Sequence, residues 1–187
     1  MTEEQQITEP TGRRGFIKNC LQVGVLTTLP STAFAGRYDQ PHYATHFKNS
    51  HTGETYKGVY RIGNKYLPDA FEQISYALRD FRTGEVHPID PRLIDIITSL
   101  QIRAQTKLPF EIVSGYRSPK TNAMLRNTST GVAKNSYHMK GRAVDLRIPS
   151  YSTSKLKNIA LDMRAGGVGY YPKSNFIHLD TGDVRTW

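Results

Sequence analysis

The sequence holds one cysteine, Cys20, so no intramolecular disulfide framework and no Cys-rich zinc finger can be built. It has no stretch of roughly 18 consecutive apolar residues, which excludes a polytopic membrane protein. Internal repeats and long low-complexity tracts are missing too, which excludes solenoid architectures. Acidic residues are scarce: 16 Asp and Glu stand against 25 Lys and Arg, a net charge of +9. Such a balance suits an anionic partner, whether nucleic acid, a membrane surface or an acidic wall polymer. It is equally compatible with a basic soluble protein that has no polyanion site, and it carries no information about fold. What remains is 187 residues, enough for one ordinary domain, with 11 Tyr and 7 Phe to supply core and surface anchors.

The first 35 residues read as an address. Arg13-Arg14-Gly15-Phe16-Ile17-Lys18 is a basic stretch, followed by a short, mildly apolar run from Asn19 to Pro30 and a small-x-small end at Ala33-Phe34-Ala35. That order is a secretory signal layout, and the Arg-Arg pair resembles the twin-arginine export motif. The apolar run is too short and too polar to span a bilayer. Cleavage after Ala35 leaves residues 36–187 as the expected working domain. The segment removed has three basic and three acidic residues, so the net charge of +9 is retained, and Cys20 is lost with it. Export, to the periplasm in this reading, argues against nucleic acid as the anionic partner and for an envelope polymer.

Downstream, the text predicts one small α+β domain. Two strand-like runs, Ala44–Lys48 and Thr55–Arg61, flank the turn cluster Ser50–Glu54 and form a hairpin. Leu67-Pro68-Asp69 opens a helix whose apolar stripe is Phe71, Ile74, Leu78 and Phe81; Asp90-Pro91 opens a second, with Leu93, Ile96, Ile97 and Leu100. Both stripes read as core. Phe110–Ser114 is a strand, and Ser118-Pro119 caps a short helix to about Asn127. Residues 127–136 form a polar loop and Ala143–Ile148 a strand. Ser154–Arg164 is a helix ended by Gly166-Gly167, and Val168–Tyr171 and Asn175–Asp180 are strands. The expected architecture is a small antiparallel sheet with helices packed on one face.

His138, Asp145 and His178 are the residue types of a zinc site: two neutral imidazoles and a carboxylate. Three protein ligands leave a fourth position for water, the catalytic rather than the structural arrangement. Zinc would bring the pKa of that water to about 7. Spacing alone does not establish such a site, because a His and an Asp seven apart are common and an isolated surface His is ordinarily just solvated.

The wider text does more. Ser136-x-His138-x-x-Gly141-x-Ala143-x-Asp145 resembles the zinc motif of the D-Ala-D-Ala metallopeptidases, which share a fold with lysostaphin-type enzymes and the hedgehog signalling domain. Ser114-Gly115-Tyr116-Arg117-Ser118 is similar to that family's Ser-Gly-Tyr-Arg-Ser segment, and His178 to its last ligand. With the leader, the chain looks most like the YcbK-type branch, of the murein endopeptidase K kind. The resemblance implies one zinc ion held by His138, Asp145 and His178, and hydrolysis of peptide cross-links in peptidoglycan. It implies that Arg117 contacts an oxyanion or a substrate carboxylate. Gly141 would permit a tight turn, Ala143 close packing beside the metal, and Ser136 would bond loop backbone or groups behind the ligands. Many members of the family have a Glu three residues before the last His, or a His two before it, as general base. Here those positions are Asn175 and Phe176, neither of which can take a proton. Asp180 shares a strand face with His178, which makes it the nearest carboxylate, either as base or as the group that orients a ligand His.

The enzyme reading has rivals. A D,D-carboxypeptidase on the same polymer would need a pocket for a terminal carboxylate. A zinc-containing binding module of the envelope would need no base at all. A basic envelope protein could bind anionic polymer without metal. The mature chain is expected to act as a monomer, with no membrane span and with the twin-arginine machinery as its export partner.

Overall fold

The structure is a computed structural model, which describes residues 40–187. The expected leader, residues 1–35, lies outside them. Eight strands form one sheet: β1 (His42–Asn49), β2 (Thr55–Ile62), β3 (Lys65–Tyr66), β4 (Phe110–Ser114), β5 (Ala143–Arg147), β6 (Gly167–Tyr171), β7 (Phe176–Asp180) and β8 (Arg185–Thr186). Their spatial order is β3-β2-β1-β4-β5-β7-β6-β8. Among the described residues four α-helices accompany them: α1 (Pro68–Ala77), α2 (Pro91–Arg103), α3 (Pro119–Thr128) and α4 (Thr153–Met163). None of these helices is long and apolar enough to cross a membrane.

The expected class, α+β, is found, but the expected small antiparallel sheet is corrected. The sheet is larger and mixed, because β1 pairs with β4, and β6 with β8, in parallel. Parallel neighbours need a long connection, and the stretch from β2 through α2 provides it between β1 and β4. The two-residue strand β8 comes back beside β6 just after β7 ends. The placement of helices on one face holds for three of the four. Ile74 and Ala77 of α1, Leu93, Ile97 and Leu100 of α2, and Leu156 and Ala160 of α4 join one buried cluster with Phe47, Phe110, Ile112, Val144, Leu146, Ile177 and Leu179 from the strands. The amphipathic α3 contributes only polar residues, Thr121 and Asn122, to the buried set.

Strand alternation sorts the two faces of β5 and β7. Val144 and Leu146 pair with Leu179 and Ile177 and point into the helical layer. The residues between them, Asp145 and His178, sit opposite each other in register on the other face. A slip in register between Ile112 and Ser114 of β4 sets Ser114 against Asp145, so the strand end that leads to Arg117 arrives beside the same residue.

Two helix ends differ from expectation. Helix α1 stops at Ala77, so Leu78 caps its C-terminus and Phe81 lies beyond it, stacked on His51 with ring centroids 3.8 Å apart. The chain leaves the helix because Asp80 turns in to accept from the backbone N–H and hydroxyl of Ser118, at 2.9 and 2.7 Å. Helix α4 is capped by Ser152, whose hydroxyl accepts from Lys155 N, and it ends on Arg164 in the left-handed region. Gly166 and Gly167 therefore do not terminate it. They serve close packing: a side chain at Gly166 would press into the Asp180 carbonyl, and one at Gly167 into the Asp180 carboxylate and Arg185.

Candidate metal centre

Three segments converge where β4, β5 and β7 meet. His138 comes from a single 3-10 turn, Tyr137–Lys140, whose start is capped by the Ser136 hydroxyl accepting from His138 N at 3.3 Å. The turn closes on Gly141 in the left-handed region at φ 63°, where a side chain would press into the Pro88 carbonyl. Ala143 follows, fully buried, and Asp145 sits one pleat on. His178 comes from the neighbouring strand.

The donor atoms form a small triangle. His178 Nδ1 is 2.9 Å from Asp145 Oδ1, His138 Nε2 is 3.2 Å from His178 Nδ1, and His138 Nε2 is 3.3 Å from Asp145 Oδ1. Ligands placed tetrahedrally around zinc, at about 2.0 Å each, stand about 3.3 Å apart. The three residues are buried and make up the one group among the described residues whose donor atoms could hold a metal ion.

Partners behind the donor atoms fix the rings. His138 Nδ1 lies 2.7 Å from the Gly115 carbonyl. A carbonyl can only accept, so Nδ1 carries the proton and Nε2 turns a lone pair into the triangle. His178 Nε2 donates to Asp180 Oδ2 at 3.0 Å, which leaves Nδ1 facing Asp145. This is the carboxylate–histidine arrangement that orients metal-bound imidazoles. Burial would push the Asp145 carboxyl up, yet the imidazoles of His138 and His178 hold it well below the usual carboxylate range. Burial likewise would lower His178, but its bonds to Asp145 and Asp180 raise it to about 9. The centre therefore favours positive charge, and a metal cation meets that demand with the donors already in place. The residues present fit zinc.

Asp180 is fully engaged. It is 1% exposed and accepts five hydrogen bonds: from His178, from both terminal nitrogens of Arg185, and from the backbone N–H groups of Gly167 and Gly182. Burial opposes its ionisation, but His178 and Arg185 keep it well below the usual carboxylate range.

Arg117 is the opposite case. Its side chain is 12% exposed, and its nearest carboxylate, Asp145 Oδ2, is 3.8 Å from Nη2. The bonds to Asn122 and Ser114 are long, at 3.4 and 3.5 Å, and buried Nε has no partner. Burial pulls its pKa below the usual value, and the Asp145 charge only partly offsets this. This guanidinium, with donors to spare, lines the same cleft as the triangle. Asn175, where a base was expected in the family, receives a bond from the Thr153 hydroxyl, and Phe176 stacks on Tyr171.

The cleft has a volume of about 590 Å³ and is walled by the polar loop 129–137, by the triangle and Arg117, and by Tyr171, Phe176 and Trp187. Sequence reasoning missed three contributors. The Gly115 carbonyl acts through its backbone, which no side-chain motif encodes. Arg185 opens a strand of two residues, Arg185–Thr186, and Trp187 follows it, a stretch too short for any periodicity.

The family model described as peptidoglycan L,D-endopeptidase MepK matches residues 39–187. Peptidoglycan L,D-endopeptidase MepK of Escherichia coli (strain K12) is 44% identical over 160 residues, which cover 85% of this chain and 87% of that protein. Probable peptidoglycan L,D-endopeptidase MepK of Haemophilus influenzae is 46% identical over 142 residues, 75% of this chain and 76% of that protein. The matched span includes both motif segments and all three donors of the triangle, and the chain belongs to the MepK family of M15 peptidases.

Proposed function

We propose that the protein is a zinc-dependent murein endopeptidase that hydrolyses peptide cross-links in peptidoglycan outside the cytoplasm. The observation that carries this is the donor triangle of His138, Asp145 and His178, at zinc spacing and open to a cleft that also holds Arg117, whose buried Nε has no partner. The chemistry that zinc supplies there is Lewis acidity, towards both a peptide carbonyl and water. His138 and His178 offer one nitrogen each because Gly115 and Asp180 occupy the other. Arg117 receives the negative charge that develops on the carbonyl oxygen, with donors it does not spend elsewhere. Asp180 in this reading positions His178 rather than taking a proton, since both its oxygens are already engaged. The general base is then no carboxylate of the triangle's own surroundings.

The relatives named as peptidoglycan L,D-endopeptidases support an endopeptidase over a carboxypeptidase. Net charge of +9 supports attraction to an anionic polymer. The reading includes export by the twin-arginine route, removal of residues 1–35, and a working domain of residues 36–187 in the periplasm. Mass spectrometry of defined muropeptides, cross-linked and linear, after incubation with the zinc-loaded protein tests it. Cleavage of cross-linked dimers is the expected result. Removal of terminal D-Ala from linear stems, with dimers intact, would establish the carboxypeptidase instead. No product from either, with zinc bound, would leave a binding module.

A further inference from the structure

Along the rim of the cleft beside His178 runs an aromatic ledge that the hydrolytic chemistry leaves unused. The Trp187 indole lies 5.2 Å from the His178 ring, centroid to centroid. It is pinned there. Trp187 N donates to the Val168 carbonyl, Tyr170 N donates to the Trp187 carbonyl, and the indole N–H donates to the Tyr171 hydroxyl at 2.8 Å. Gly169, paired with His178 across β6 and β7, makes the space, since a side chain there would meet the indole at 2.8 Å. Tyr171 in turn stacks on Phe176 with centroids 4.7 Å apart. Trp187 nevertheless remains 50% exposed. A large aromatic surface held rigid beside a reaction centre, yet not buried, has an unfilled contact face.

The chemistry of that face limits its occupant. Its one indole donor is already used by Tyr171, so the ledge recognises by apolar contact. The Arg185 guanidinium sits 5.0 Å from the indole centroid, which disfavours a cationic group in the same place. We propose that Trp187, supported by Tyr171 and Phe176, is a substrate subsite that takes the aliphatic segment of the cross-link residue next to the scissile peptide bond. It thereby sets the register of the peptide against the His138–Asp145–His178 centre. This rests on the endopeptidase reading. The ledge abuts the centre itself, so its occupant is the peptide part of the polymer rather than the glycan. Trp187 is a positioning residue: it contributes binding and touches none of the reacting atoms.

The sequence contains one tryptophan, so its emission reports this subsite alone. The zinc-loaded enzyme is mixed in a stopped-flow instrument with glycan-free cross-linked stem-peptide dimers. A saturable change in emission is expected before product forms. In steady state, Trp187→Ala should raise KM about tenfold, with a smaller fall in kcat and unchanged zinc content, and Trp187→Phe should recover most of the loss. Emission indifferent to the dimers, or an unchanged KM in Trp187→Ala, overturns the subsite. A response only to glycan-bearing dimers overturns the peptide assignment. Dimers that saturate the emission but stay intact overturn the hydrolase reading and leave the subsite standing. Should Trp187→Ala fail to fold, the emission titration of the unaltered enzyme decides.

Discussion

Strands β5 and β7 carry two faces built on different physics. Val144, Leu146, Ile177 and Leu179 look into the helical layer and are held by burial, which has no direction. Asp145, His178 and Asp180 alternate with them on the same backbone and are held by bonds that each have one geometry. A core face tolerates a swap of similar volume at a cost usually below about 1.5 kcal/mol. On the polar face a swap of similar volume removes a specific bond. The pleat thus lets a rigid apolar layer serve as the base plate of a chemical site one residue away. The largest effect should come from breaking the polar face at its centre. His138→Ala should abolish zinc retention, read by elemental analysis, and with it the hydrolysis of dimers, while the circular dichroism spectrum persists. Full zinc occupancy in that variant would sink the ligand assignment.

Arg117 sharpens the comparison, because it borders the polar face without holding it together. Its weak partners, at 3.4 to 3.8 Å, mean that little structure depends on it. Arg117→Ala should keep zinc and fold, and should slow turnover by about 10²–10³, the usual worth of one oxyanion donor. Wild-type kinetics on sacculi would make it a bystander.

Asp180 tests whether the face works as a linked unit. Asp180→Asn preserves shape but removes a charge and one of the two acceptor oxygens shared by His178, Arg185, Gly167 and Gly182. Zinc affinity should weaken by about 10–100-fold, and excess zinc should restore much of the rate. A rate that falls and stays low at saturating zinc would instead return Asp180 to the role of base.

What the sequence disclosed follows the same division. The apolar stripes of α1 and α2 and the alternation of β5 and β7 were legible because periodicity is a local property. The residues of the triangle were legible because His138 and Asp145 lie in one continuous motif that resembles a known family's, and His178 resembles that family's last ligand. Groups that act through tertiary proximity were not. Phe81 matched the stripe of α1 but lies past its end, since Asp80 is drawn to Ser118, 38 residues away. Gly166-Gly167 looked like a helix stop, whereas the close approach of Asp180 is what requires them. The parallel pairs β1–β4 and β6–β8, which make the sheet mixed, leave no trace in hydrophobic pattern.

Asp80 asks whether the polar face is secured only from within or also from the helical side. It leaves the end of α1, is 1% exposed, and accepts from Ser118 N, the Ser118 hydroxyl and Arg82 N, so it holds the residue next to Arg117. Burial would raise its carboxyl, but the Thr121 and Ser118 hydroxyls and the backbone donors bring it down to about 2. Its folded value therefore lies below its unfolded one near 4. The stabilisation is full above about pH 4 and is lost as pH falls towards 2, and its size is about 2 kcal/mol. Asp80→Asn offers one acceptor oxygen where three donors converge, so it should lose that amount at pH 7. Urea midpoints of both proteins at pH 7 and at pH 3 check this. The gap between them should narrow at the lower pH, because titrating carboxylates elsewhere, Asp145 and Asp180 included, are common to both and cancel. A gap that stays constant would mean that Asp80 holds the Arg117 loop by shape alone, and that the site's polar face draws no electrostatic support from the helical layer.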